Sequence, residues 1–197
     1  MATERIAEWG ISKLAFATIT KSNGVITGFG TPVMHPGAIS LNISAGNNSD
    51  NGLAADNGRY YGGSGSKTKT GELNVARFSG WFRKNVLGEI EEGGGIGEGD
   101  ASSAEFAMLW EVDSDQGGAR YVWYCCTASD ITKNFATTAI DGTVTYATET
   151  STITSTLAEL PNGNKRRKWE CEKGSANYAN FFSAVYYPTN TTTTTGA

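Results

Sequence analysis

Residues 60 to 73, YYGGSGSKTKTGEL, gather glycines, serines and a Lys67-Thr68 pair, the residue types that cradle a phosphate. A P-loop needs G-x-x-x-x-G-K-[ST], because its glycines let backbone N–H groups close around the phosphates and a helix N-terminus must follow directly. Counting back from Lys67 puts Ser66 and Tyr61 at the two glycine positions, and TGELNVARF, which follows, has a strand pattern with a helix only from about Ser79. The nucleotide reading is therefore set aside. His35, the single histidine, lies in the turn-like TPVMHPGA. A nucleophile and an orienting acid would have to reach it from distant parts of the chain, so it reads as a turn or surface histidine. GEIEEGGGIGEGD, residues 88 to 100, has the carboxylates for calcium but not the D-x-[DN]-x-[DN]-G spacing, and reads as a solvated flexible loop. Lys165-Arg166-Arg167-Lys168 could touch nucleic acid or serve as a localisation signal; in an acidic chain it reads as an exposed charged turn or an interface with an acidic neighbour. Cys125, Cys126 and Cys171 form neither an even disulfide set nor a metal-ligand spacing, and are expected to be reduced thiols of a cytosolically made protein. Adjacent cysteines in a strand would point to opposite faces. No catalytic, cofactor-binding or metal-ligating residue is assigned, and an enzyme is not expected.

The elements that must carry these residues follow from composition and period. With 197 residues and 39% hydrophobic content the chain can bury one proper core, which predicts a single domain over 1–188 and a threonine-rich flexible tail, TNTTTTTGA, over 189–197. Glycines number 25 and prolines only 4, which suits many tight turns rather than a proline-rich linker. A net charge of -4 argues against a dedicated nucleic-acid binder, since neutralising phosphates needs an excess of Lys and Arg. The start, MATERIAEWGISKLAF, has mixed charge and no apolar h-region, and no window approaches the roughly 18 apolar residues of a membrane span. No membrane partner is expected.

The dominant period is two. In EFAMLWEVD, Phe106, Met108, Trp110 and Val112 share one face, with Glu105, Ala107, Leu109 and Glu111 on the other; with SDQGG as its loop and ARYVWYCCTAS as its return, residues 105 to 129 predict one long antiparallel hairpin. Further strands are predicted at SKLAFATIT, AISLNIS and GELNVARF, punctuated by Asn-Gly pairs. Two segments break the period. FSGWFRKNVLG predicts a helix capped by Ser79 and ended by Gly88 in a left-handed conformation, and ANYANFFSAVYYP has helical aromatic spacing before Pro188. The fold class is mainly β, a sandwich or barrel with one or two short helices beside it.

TVTYATETSTITSTL, residues 143 to 157, is unusual. Its even face carries Thr148, Thr150, Thr152, Thr154 and Thr156, while its odd face mixes Glu149 and Ser151 with Ile153 and Leu157, so neither face reads as a committed core face. Such a strand would have weak register and an exposed edge in a monomer, unless its sheet is shared between subunits.

Taken in order, YY…GELNVARFSGWFRKNVLGE, EFAMLWEVDSDQGGARYVWYCCTAS, TETSTITSTL and NFFSAVYYP closely resemble the major tail tube proteins of long-tailed bacteriophages with non-contractile tails, over about Gly10 to Pro188. The resemblance implies a β-sandwich with one main flanking helix and long inter-subunit loops, similar to the tubes of contractile tails and type VI secretion systems. It implies six subunits in a ring, rings stacked into a tube, and a continuous barrel of strands around the lumen. By the same resemblance the partners are other copies of this chain, a tape measure protein inside the tube, tail terminator and tail-tip or baseplate proteins, and DNA that passes without sequence-specific binding. The place would be the virion tail, assembled in the host bacterial cytoplasm.

The loop around residues 45 to 71 would then be an arm to a neighbouring subunit or ring, with Tyr60, Tyr61, Lys67 and Lys69 as interface residues, and Thr150, Thr152 and Thr154 would belong to the sheet around the lumen. Family members often carry a proline and an acidic residue where strand meets helix, whereas this junction is Arg77-Phe78-Ser79. Some relatives add an immunoglobulin-like domain; none is expected after Tyr187-Pro188. A second function class stays open, a small β-sandwich binding or adhesion module that uses glycine-rich loops.

Overall fold

A computed structural model describes residues 7–45, 53–55, 58–61, 68–100, 102–115, 117–135, 140, 142 and 144–188, with the backbone alone at 45, 53–55 and 58–61. The threonine tail 189–197 falls outside the described residues. In chain order, β1 (Glu8–Ser22) turns into β2 (Val25–Phe29), followed by β3 (Val33–Met34) and β4 (Ala38–Ala45). β5 (Leu53–Ala55) and β6 (Gly58–Tyr61) pair with each other, and β7 (Lys69–Val75) leads into α1 (Gly80–Asn85). Next come β8 (Ile90–Glu92), β9 (Gly95–Gly97), β10 (Phe106–Ser114), β11 (Ala119–Ala128) and β12 (Thr132–Lys133). β13 (Glu149–Ser155), β14 (Ala158–Glu159), β15 (Lys165–Arg166) and β16 (Lys168–Glu172) complete the set.

The fold is mainly β, as the period-two pattern predicts, with one large antiparallel sheet and one short helix among the described residues. The sheet runs β2-β1-β10-β11-β13-β7-β4, with β3, β12 and β16 pairing off this path. The β1–β2 turn uses Asn23 at φ 49 and Gly24 at φ 80, two successive left-handed positions whose twist matches the flanking strands. β10 and β11 are the expected hairpin, in register from Val112 opposite Ala119 to Phe106 opposite Cys126 across one bulge.

The middle of β1, residues 14–17, and most of β10 and β11 are buried on both faces. Leu14, Phe16, Met108, Trp110 and Trp123 join a first apolar cluster with Phe82 and Val86 from α1 and its end. Ala15, Ala17, Leu109, Val122 and Tyr124 join a second with Leu160, Cys171, Phe181 and Val185 from the C-terminal third. Cys125 lies in the second cluster and Cys126 in the first, the opposed faces that alternation requires. Burial pushes both thiols' pKa values up.

Two predicted features differ. Residues 176–183 are successive turns rather than a second helix, with Tyr178 N–H donating to Ser175 C=O, Phe181 N–H to Tyr178 C=O and Ser183 N–H to Asn180 C=O. The segment is held by Arg120, buried to 9% exposure. Arg120 ion-pairs with Glu111, donates to the Tyr178 carbonyl and stands 3.8 Å from the Tyr178 ring centroid. Burial alone would raise the Glu111 pKa, but Arg120 and Lys13 outweigh it and hold the carboxyl below its ordinary value. The acidic stretch 88–100, expected as a solvated flexible loop, contains the β8–β9 hairpin; Glu91, Glu92, Glu98 and Asp100 are exposed, the Glu89 side chain, only 9% exposed, pairs with Arg83, and Ile96 packs toward Gly80 at the start of α1.

Candidate functional site

The threonine-rich strand β13 lies inside the sheet, between β11 and β7, and not at the edge expected from its polar pattern. Its odd face is a core face: Glu149, Ser151, Ile153 and Ser155 are all buried. Polar groups are tolerated there where they are satisfied. The Ser151 hydroxyl donates to the Ser129 carbonyl at 2.7 Å, and Glu149 serves the helix junction described below.

The even face of β13 continues across two neighbours. Thr150, Thr152 and Thr154 stand opposite Asn74, Glu72 and Thr70 of β7, which in turn stand opposite Ser40, Asn42 and Ser44 of β4. These side chains are half-buried or exposed, and the Ser44 and Thr70 hydroxyls lie 3.3 Å apart. Solvated sheet faces usually carry Lys and Glu, yet Glu72 is the only ionisable group among these nine. The result is a hydroxyl- and amide-rich wall with one carboxylate and no cation.

This wall ends at β4, whose other edge has no hydrogen-bonded partner among the described residues. β1 approaches β4 without pairing, so the curled sheet stops short of closing. The seam holds a cavity of about 470 Å³, floored by Trp110, Tyr121 and Trp123. Its rims carry large apolar side chains in water: Trp9 is 55% exposed, Ile39 50% and Ile43 46%. The pattern of AISLNIS signals a strand with an apolar face but does not reveal that this face is only partly covered. Gly71 keeps the seam's inner wall tight, since a Cβ there would stand 3.0 Å from Leu41 and 3.1 Å from the Trp123 ring.

Of the residues expected at an interface, Thr150, Thr152 and Thr154 share the polar wall. Lys69 is on the other face of β7, opposite Ser155, half-buried and lining the seam. Tyr60 and Tyr61 belong to the backbone of β6, and Lys67 lies outside the described residues. Residues 62–67 of the glycine- and serine-rich stretch lie outside the described residues; the element that follows is the strand β7, and α1 begins only at Gly80.

The junction from β7 to α1 is held by two distant groups. Ser79 caps the helix, its hydroxyl accepting the Phe82 N–H at 3.3 Å, and Gly88 takes φ 74 beyond its end, both as the sequence indicates. The Phe78 N–H donates to the Glu149 carboxylate at 2.7 Å, and Lys133 pairs with the other carboxylate oxygen at 2.7 Å. The carboxylate at this junction thus comes from β13 and not from Arg77-Phe78-Ser79 itself. Burial would raise the Glu149 pKa, but the bonds from Lys133 and Phe78 and the charges of Lys133 and Arg83 hold it below its ordinary value.

His35, read from sequence as a turn or surface residue, lies in the link between β3 and β4, where its N–H donates to the Leu14 carbonyl at 2.7 Å, and it is only 3% exposed. Its Nε2 accepts the Ser79 N–H at 3.1 Å, and its ring meets Phe16 and Phe78 edge-on. Burial lowers its pKa, keeping the acceptor nitrogen unprotonated at neutral pH. Its role in this geometry is to complete the helix cap.

No protein-family model matches the chain, and no curated protein matches it. Among solved structures, one described as the structure of a type six secretion system protein is similar with a TM-score of 0.34 and 11% identity, covering 80% of this chain and 91% of that one.

Proposed function

We propose that this chain is a structural virion protein that self-assembles, without catalysis, into stacked hexameric rings forming the tail tube of a long-tailed bacteriophage. The tube encloses a tape measure protein during assembly and conducts DNA during ejection. The observation that carries this reading is the unfinished sheet: a polar wall runs from β13 through β7 to a β4 edge unpaired among the described residues, beside a seam with exposed Trp9, Ile39 and Ile43. An open edge with apolar flanks is an aggregation hazard in a monomer and a joint in an oligomer. When the edge of one copy meets a different surface of the next, the contact is heterologous, and it makes a ring where the rotation between copies closes. The ordered sequence blocks that resemble tail tube proteins supply the hexamer and the tube. A wall of hydroxyls and amides with no cation also suits passage of a polyanion, because basic side chains would hold its phosphates.

The runner-up is a β-sandwich binding or adhesion module, favoured by the size of the seam cavity, which is that of a small-ligand pocket. Negative-stain electron microscopy of the purified chain separates the two. Rings or tubes with a central hole are expected, and Ile39→Lys with Ile43→Lys should abolish them while leaving a folded monomer, since both side chains are already exposed. A wild-type chain that stays monomeric at high concentration, even with phage assembly partners added, sinks the proposal.

A further inference from the structure

We infer that the acidic β8–β9 hairpin of one copy docks on the Arg166–Arg167 segment of the next, giving the assembly a second, electrostatic joint apart from the β4 edge. This rests on the self-assembly reading above and names the groups that meet. Between Gly88 and Asp100 the chain carries five carboxylates and no base. Two are used within the subunit, Glu89 by Arg83 and Glu91 by Lys84. Glu92, Glu98 and Asp100 are exposed and have no ion-pair partner among the described residues.

The basic segment has the opposite deficit. Lys165 reaches Glu159 at 3.7 Å and Lys168 reaches Glu170 at 3.4 Å, whereas Arg166 and Arg167, both half-buried, pair with no carboxylate among the described residues. The Nε of each is shielded from water and has no acceptor among the described residues. A guanidinium that has lost part of its hydration without gaining a counter-ion is costly, and a carboxylate brought beside it by a neighbouring copy offsets that cost through its charge.

The placement makes these surfaces complementary between copies rather than within one. The hairpin leans on α1, which buries Phe82 in the first cluster. Arg166 stands opposite Ala158, which packs on the second cluster, and the Arg167 carbonyl accepts the N–H of Tyr124 from that cluster. Hairpin and arginines therefore occupy opposite sides of the β1–β10–β11 layer. A contact between unlike surfaces on opposite sides repeats from copy to copy. Nucleic acid is the less suitable occupant: four bases flanked by Glu159, Glu170 and Glu172, on a chain of net charge -4, make a poor polyanion site.

The test uses the full chain and two charge-reversed forms, Glu92→Lys with Glu98→Lys, and Arg166→Glu with Arg167→Glu. Each alone should raise the concentration needed for assembly, followed by sedimentation and electron microscopy, by about tenfold or more, the scale of one or two lost charge-assisted pairs. Mixed in equal amounts, the two should recover assembly, because alternating copies then present opposite charges at every joint. Wild-type assembly that neither variant disturbs, or two impaired variants that fail to rescue each other, overturns the joint and leaves the self-assembly reading standing. A wild-type chain that never assembles overturns both. Should the arginine form fail to fold, a zero-length carbodiimide cross-link in a mixture of isotopically light and heavy wild-type chains decides instead. Intermolecular bonds from Glu92 or Glu98 to Lys165 or Lys168 support the joint, and their absence from assembled material refutes it. An arginine variant that loses affinity for a DNA oligonucleotide but assembles normally refutes it in favour of a nucleic-acid site.

Discussion

Replacing Glu149 should loosen the start of α1 from a position seventy-one residues along the chain. The carboxylate is 7% exposed and holds two partners, the buried Phe78 N–H at 2.7 Å and the Lys133 ammonium at 2.7 Å. A hydrogen bond to a charged acceptor contributes about 1.5–3 kcal/mol. The Lys133 pair is worth less, about 1 kcal/mol or below, because the lysine side chain is 27% exposed and screened by water. Glu149→Ala, which strips both partners and leaves a buried N–H unpaired, should cost about 3–4 kcal/mol. Glu149→Gln keeps an amide oxygen for Phe78 and should cost about 1–2 kcal/mol, and Lys133→Met about 1 kcal/mol.

Urea unfolding at neutral pH measures all three, and hydrogen exchange of the α1 amides shows where the loss falls. Because the folded carboxyl titrates below its ordinary 4.5, its contribution is complete above that pH and fades as pH falls further, so Glu149→Gln should flatten the acid limb. If Ala and Gln cost the same within about 0.5 kcal/mol, or Lys133→Met costs as much as Glu149→Ala, the amide bond is not what holds the junction.

Two further outcomes follow from the buried charges and the histidine. Arg120→Met should cost about 3–5 kcal/mol, by leaving Glu111 buried beside Lys13 alone, and should expose residues 176–183 to limited proteolysis before the rest of the chain; simultaneous loss of all protection would contradict a local role. The neutral His35 ring contributes stability that is complete above about 6.5 and is lost as pH falls from there toward its lowered folded value, at no more than about 1.4 kcal/mol per pH unit. His35→Gln should remove that step from a stability–pH profile, and a step that persists belongs to another group.

The sequence makes the regular parts legible and hides what depends on pairing. The β10–β11 hairpin, the Ser79 cap and the Gly88 stop all follow from local rules and stand where expected. β13 shows why locality fails elsewhere. Its parity is readable, but the odd face looks uncommitted because Glu149, Ser151 and Ser155 are polar, and only tertiary partners make Glu149 and Ser151 acceptable inside. The aromatic spacing of residues 178–182 fits a helix, yet Gly174, Ser175 and Asn177 favour turns, and Arg120 draws the Tyr178 carbonyl toward itself. Ile39 and Ile43 alternate as core residues do. Whether a second layer covers them is decided by the order of strands, which no pattern within β4 encodes.

Strand order also has a consequence in time. The β10–β11 hairpin joins near neighbours and can form within microseconds, whereas β1 must find β10 across about half of the chain, bringing Thr18 to Phe106 and Glu8 to Ser114. The seam has only one rim until that slow search succeeds. The cavity between β1 and β4 is therefore completed only when β1 has docked on β10, so the rim carrying Trp9 is among the last parts to be positioned.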